Sequence, residues 1–230
     1  MNEALGTFGR TLVIAPHPDD EILGAGATMA RLAAAGLDVY VAVVTTGQSP
    51  DYSAEDVARV REEASRAHTL IGVRDTFWLN QPAARLSDTA HATLNAALRI
   101  VVRDVNPTTL IVPFVGDIHL DHQLTFLSSL VAARPHQAEF PARILAYETL
   151  SETNWNAPYL TPGFLPNVFV DVTETMPLKL KAMGIFHSQL REFPHERSAE
   201  ALTALAMLRG ATVYCRAAEA FVLVRDVIRY

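Results

Sequence analysis

Hydrophobic residues follow two rhythms through the first half of the chain. Short unbroken apolar runs at 11–15, 39–44, 76–79 and 109–112 have the length of buried strands. Between them the stretch 22–35 is rich in helix formers and ends before Gly36. In 56–71, Val57, Val60, Ala64, Ala67 and Ile71 recur at spacings of three and four, the stripe of a helix with one buried face. Residues 89–103 repeat that stripe with Leu94, Ala97, Leu98 and Val101. Strand and helix in strict alternation predict an α/β fold, a doubly wound and mostly parallel sheet with helices on both faces. The second half is less regular. Residues 121–133, 175–190 and 198–209 read as helices, and 143–147, 168–172 and 220–224 as strands. Pro158, Pro162, Gly163 and Pro166 mark a surface loop between them.

Composition narrows the class of protein. At 230 residues with no repeat or linker, the expectation is one domain spanning 1–230, long enough to fold without disulfide or structural metal. The lone Cys215 excludes an intrachain disulfide and every multi-cysteine zinc motif, and reads as a small core residue. With 19 Lys+Arg against 25 Asp+Glu, the charge of -6 argues against nucleic acid as a partner. No run approaches the ~20 apolar residues of an integral membrane segment, and Glu3 stands where a signal peptide carries basic residues. The expectation is a soluble, cytoplasmic protein, with a homo-oligomer left open.

Two polar clusters carry the chemistry. His17-Pro18-Asp19-Asp20-Glu21 follows the first strand, where an open α/β sheet binds ligands. Helix capping would require one aspartate there, not a histidine and three acids. Asp117-Ile118-His119-Leu120-Asp121-His122 follows the fourth strand. Alone it is a His-rich turn, but in a sheet of order 3-2-1-4-5 the loops after strands 1 and 4 meet at the switch point. Two histidines and one aspartate would leave a metal with an open coordination position, the catalytic arrangement. Gly24-Ala-Gly26 does not make a nicotinamide site. Its first glycine lies too far into the helix, and the second strand ends without an acid for a ribose.

Ala15-Pro16-His17-Pro18-Asp19-Asp20-Glu21 together with His119-Leu120-Asp121-His122 resembles the LmbE-like, or PIG-L, superfamily of zinc-dependent N-deacetylases. Softer matches run through Arg61-Glu62-Glu63-Ala64, Ile71-Gly72-Val73, Lys181, His187-Ser188-Gln189, Arg209-Gly210 and Ala218-Glu219-Ala220-Phe221. The resemblance implies a Rossmann-like fold and one zinc ion per chain held by His17, Asp20 and His122. It implies Asp19 as general base, with His119 beside the metal and Asp121 orienting it. Its substrates would be small N-acetylated sugars or glycoconjugates, deacetylated by a zinc-activated water. The same ligand set suits ferrous iron. On chemical grounds His119, protonated and paired with Asp121, would stabilise the developing negative charge.

Two departures qualify the match. Asp117 stands where some relatives carry an oxyanion-stabilising tyrosine, so it is expected to contact substrate, a supporting group or turn backbone. The third-strand loop reads Gln81-Pro-Ala-Ala84, without the acid many relatives place there. Arg61 and His187, the latter with Gln189, are further candidates for substrate binding. So is Trp155, which with Tyr147, Glu148 and Glu152 would offer a sugar an aromatic face and polar partners. His68, His91, His136 and His195 read as structural or surface residues. Two rival functions are an amidase of the same chemistry on a non-sugar substrate and a non-catalytic zinc-containing carbohydrate-binding module. A pure binder has no use for a free carboxylate such as Asp19 beside the metal.

Overall fold

The computed structural model describes residues 3–228. Its elements are α1 (Glu3–Gly6), β1 (Thr11–Ala15), α2 (Asp20–Ala34), β2 (Val39–Thr46), α3 (Ala54–Ile71), β3 (Asp75–Pro82), α4 (His91–Val105) and β4 (Thr109–Pro113). They continue with α5 (Leu120–Ala132), β5 (Arg143–Tyr147), β6 (Val168–Asp171), α6 (Met176–Met183), α7 (Ala199–Thr212) and β7 (Ala218–Asp226). One seven-stranded sheet takes its strands in the order β3-β2-β1-β4-β5-β7-β6. The first five are parallel neighbours, and β7 runs antiparallel between β5 and β6. The order 3-2-1-4-5 with carboxyl-terminal additions is therefore the one that forms.

The strand sequences explain why. Every position of β1 is buried. Val13 packs into a core with α2, α3 and α6, while Leu12 and Ile14 pack into a second core with α4 and α5. A strand covered on both faces has no solvent side, so it reads as a continuous apolar run. Helix α3 begins where Ser53 accepts the N–H of Asp56 and ends at Gly72, whose φ of 86° only glycine adopts freely.

One region departs from the periodicity. The pattern over 175–190 predicts a longer helix than forms, because α6 stops at Met183 and the chain turns to seat Phe186 in the core. The segment after it, 184–198, runs as turns and loops. Cys215 is half-buried rather than a core residue.

Helix α2 is bound to α6 and β7 through a buried ion pair. Lys179 Nζ donates to Glu219 Oε1 and to the Leu23 carbonyl, each at 2.6 Å. The Glu219 carboxylate in turn accepts the backbone N–H groups of Ala27 at 3.1 Å and Thr28 at 2.7 Å. The lysine that the fold uses here is Lys179, and Lys181 is exposed.

Gly24 lets α2 lie against Tyr147, which is fully buried and donates its hydroxyl to the Ile14 carbonyl at 3.1 Å. A Cβ on Gly24 would come within 2.0 Å of the tyrosine ring. Gly24→Ala is therefore expected to destabilise the fold by about 1–3 kcal/mol through overpacking. Urea denaturation measures this, and an unchanged midpoint would mean that the ring can move aside.

Candidate metal centre and catalytic cleft

The loops after β1 and β4 meet at the carboxyl edge of the sheet, and their side chains converge. Ligand atoms of His17, Asp20 and His122 all lie within 4.8 Å of one another. Asp20 Oδ2 sits 3.1 Å from His17 Nδ1 and 3.1 Å from His122 Nε2. The other ring nitrogen of each histidine faces its own carboxylate: His17 Nε2 lies 3.2 Å from Asp121 Oδ2, and His122 Nδ1 lies 2.8 Å from Asp117 Oδ2. That is the carboxylate–histidine support that orients an imidazole toward a metal.

The electrostatics follow from this crowding. Burial pulls the His17 pKa down, but the hydrogen bonds to Asp121 and Asp20 outweigh it and raise it to about 9. Burial opposes the charged form of His122 too, yet Asp20 and Asp117 lift it to about 10. Burial works against the Asp20 carboxylate, which the two histidines nevertheless hold well below the usual range. The negative potential that protonates these imidazoles is the potential a divalent cation would meet. His122 Nε2 is buried and faces Asp20 Oδ2 without the alignment of a hydrogen bond, an arrangement that suits a nitrogen and an oxygen aimed at a shared cation. Two nitrogens and a carboxylate oxygen suit zinc. The residues fit the group.

Asp19 stands beside this trio at the entrance to α2, with a φ of 125° that is costly for a non-glycine residue. Its carbonyl accepts from Ile22 and Leu23, and its N–H donates to Glu21. Glu21 is braced from behind by His68, itself bonded to Thr76, which makes His68 structural as expected. Burial raises the Asp19 pKa to about 8 against the pull of Arg197. Asp19, His17 and His119 line a cavity of about 340 Å³, walled by Tyr52, Val57, Arg61 and Trp78 on one side and by Glu152, Gln189 and Arg197 on the other. That volume suits a small molecule.

The structure corrects several expectations. Asp121 does not pair with the His119 ring. Its carboxylate holds His17 and accepts from the N–H groups of Ala84 and Leu86, while its own N–H donates to His119 Nδ1 at 3.1 Å. With Nδ1 accepting, a neutral His119 carries its proton on Nε2, and burial beside His17 and His122 lowers its pKa to about 4, so it is not a cation. Asp117 is fully buried between His122 and Thr153, so of the contacts expected of it the structure gives a supporting one, to the His122 imidazole, and not one to substrate. His187 is exposed, and the cavity is lined instead by Ser188 and Gln189. Trp155, 56% exposed, lies outside the main cavity on a second hollow that shares Glu152, Gln189 and Arg197 with it. Tyr147 is buried, and both oxygens of Glu148 accept from Arg209, one from Nε and one from Nη2. His91, His136 and His195 are on the surface.

Arg61 lines the cavity, stacked 4.4 Å over Trp78 and bonded to Asn80. Arg197 escaped the sequence reading. It belongs to no motif and reaches the site from just before α7, and a basic residue following Pro194-His195-Glu196 was the single available sign.

A doubly wound sheet with a His-Asp-His cluster at its switch point defines the LmbE-like class of α/β proteins. The GlcNAc-PI de-N-acetylase (PIG-L) family matches residues 12–133, and the chain belongs to that family. It is 34% identical over 181 residues to the uncharacterised deacetylase YaiS of Escherichia coli K12, covering 75% of this chain and 87% of that one. It is 25% identical over 232 residues to the diacetylchitobiose deacetylase of Thermococcus kodakarensis, covering 91% and 81%. Among solved structures, the 4-carboxy-2-hydroxymuconate hydratase GalB of Pseudomonas putida KT2440 superposes with a TM-score of 0.75 at 20% identity, covering 96% and 98%. The likeness to GalB is one of fold, and fold alone does not set the reaction.

Proposed function

We propose that this protein hydrolyses the N-acyl group, acetyl in the first instance, of an amino sugar or glycoconjugate, using a zinc ion held by His17, Asp20 and His122. The observation that carries this reading is a cavity-lining carboxylate, Asp19, that stands beside a converged trio of candidate metal ligands without belonging to it. The deacetylase names of the relatives support it. A cation in the trio would supply Lewis acidity, polarising the acyl carbonyl and lowering the pKa of an attacking water toward about 7.

The remaining work belongs to the chain. Asp19 accepts the proton that water gives up as its oxygen bonds to the acyl carbon, and returns it to the amine nitrogen as the C–N bond breaks. His119, through its Nε2–H, is placed to donate to the oxygen that becomes negative. Asp117 and Asp121 hold the two ligand imidazoles in orientation and tautomer. Arg61 and the Trp78 wall offer the sugar a polar and an apolar surface.

The test is a panel of N-acetylglucosamine, N,N'-diacetylchitobiose and simple N-acetyl amino acids, incubated with zinc-loaded and with ferrous-loaded protein. Acetate and a new primary amine are expected in equal amounts from at least one sugar. No acetate from any sugar while zinc is bound would refute the reading, and release only from the amino acids would move the substrate to the non-sugar class.

A further inference from the structure

We infer that Arg197 is a positioning residue for Asp19, turning its carboxylate so that one oxygen is kept for the proton of the reaction. The inference rests on the deacetylase reading and deepens it.

The backbone of Asp19 is already committed: its carbonyl accepts from two residues of α2, and its N–H is taken by Glu21. The side chain must therefore be aimed by its own partners. Among the described residues Arg197 is the one side-chain donor to it, Nη1 lying 3.1 Å from Oδ2. Oδ1 accepts no hydrogen bond from any described residue. The carboxylate is only 3% exposed and has Asp20 and Glu21 beside it, so this one guanidinium contact is what directs it.

Arg197 is itself immobilised. Its Nε donates to Ser151 Oγ at 3.0 Å, its Nη1 also donates to Gln189 Oε1 at 2.9 Å, and Nη2 lies 3.6 Å from Glu152 Oε1. The adjoining Ser198 is buried and caps α7 through the Ala201 N–H, which fixes the backbone from which Arg197 extends. Ser151, like Asp19, is a non-glycine residue at positive φ, here 71°. The guanidinium thus joins two conformationally costly positions from separate loops, and its planar fork fits such a role better than an ammonium would. A solvated arginine would not be held from three sides.

The experiment compares R197A, R197K, D19N and the R197A/D19N double variant, with zinc content, kcat and KM on a substrate the parent hydrolyses, and a crystal structure of zinc-loaded R197A. The expected result is a loss of about 10²-fold in kcat for R197A, the size of effect that misplacing a reacting group produces. KM and bound zinc should be little changed, and R197K should recover part of the loss. Because Arg197 acts through Asp19, R197A should cost nothing further on the D19N background. In the crystal the Asp19 carboxylate should be rotated. An additive double variant, a loss confined to KM, or an unmoved Asp19 would each overturn the inference. If R197A does not fold, S151A, which removes only the Nε anchor, should lower kcat in the same direction by less, and an unchanged kcat there would count against the inference. If the parent hydrolyses nothing, the deacetylase reading fails on its own, and the Asp19 position in the crystal still decides the role of Arg197.

Discussion

Asp19→Asn should leave zinc bound and lower turnover by about 10²–10⁴-fold, the usual contribution of a general base. The amide is nearly isosteric, and asparagine is among the residues that best tolerate positive φ, so the strained turn at φ 125° should persist. It can still meet Arg197 with its oxygen. What it lacks is the capacity to take a proton from water and return it to nitrogen. Metal content, thermal midpoint and kcat measured on one preparation separate these effects. Full occupancy and an unshifted midpoint with collapsed kcat would match the assignment, whereas near-parental turnover would remove Asp19 from the mechanism.

His122→Ala should abolish stoichiometric metal. The substitution removes one of three converging donors and leaves Asp20 and Asp117 facing each other across a hole in a fully buried position. Losing a supporting carboxylate generally costs a metal site 10–100-fold in affinity. Asp117→Asn should fall in that range, and His122→Ala well beyond it. Breaking a buried charge pair also costs about 3–5 kcal/mol, so the apo thermal midpoint must be followed alongside a chelator-competition titration. Equimolar zinc at parental affinity in the folded variant would show that the ion sits elsewhere.

The strands at the centre of the sheet were legible because burial on both faces forces unbroken apolar runs, as in Leu12-Val13-Ile14. The convergence of His17, Asp20 and His122 was legible because these residues are packed into two short motifs, each following a strand of the inner sheet. What remained hidden depended on geometry that local pattern does not encode. Which carboxylate meets which imidazole nitrogen is decided by loop conformation. That is why Asp121 could be read as the partner of His119 when it serves His17, and why the sequence left Asp117 between substrate, a supporting group and turn backbone when it serves His122. The true end of α6 is set by the docking of Phe186, which continues the apolar rhythm past the last helical turn. Arg197 lies 178 positions from Asp19 along the chain, and only tertiary structure brings them together.

The Lys179–Glu219 pair has a consequence for how the protein matures. Glu219 grips α2 at Ala27 and Thr28, roughly two turns along from Asp20. The three side chains of the candidate metal site are all translated by residue 122, yet the peg that sets the axial seat of α2 is made almost a hundred residues later. On the ribosome His17, Asp20 and His122 would emerge long before β7, so the seat of α2 beside them waits until that strand has been made.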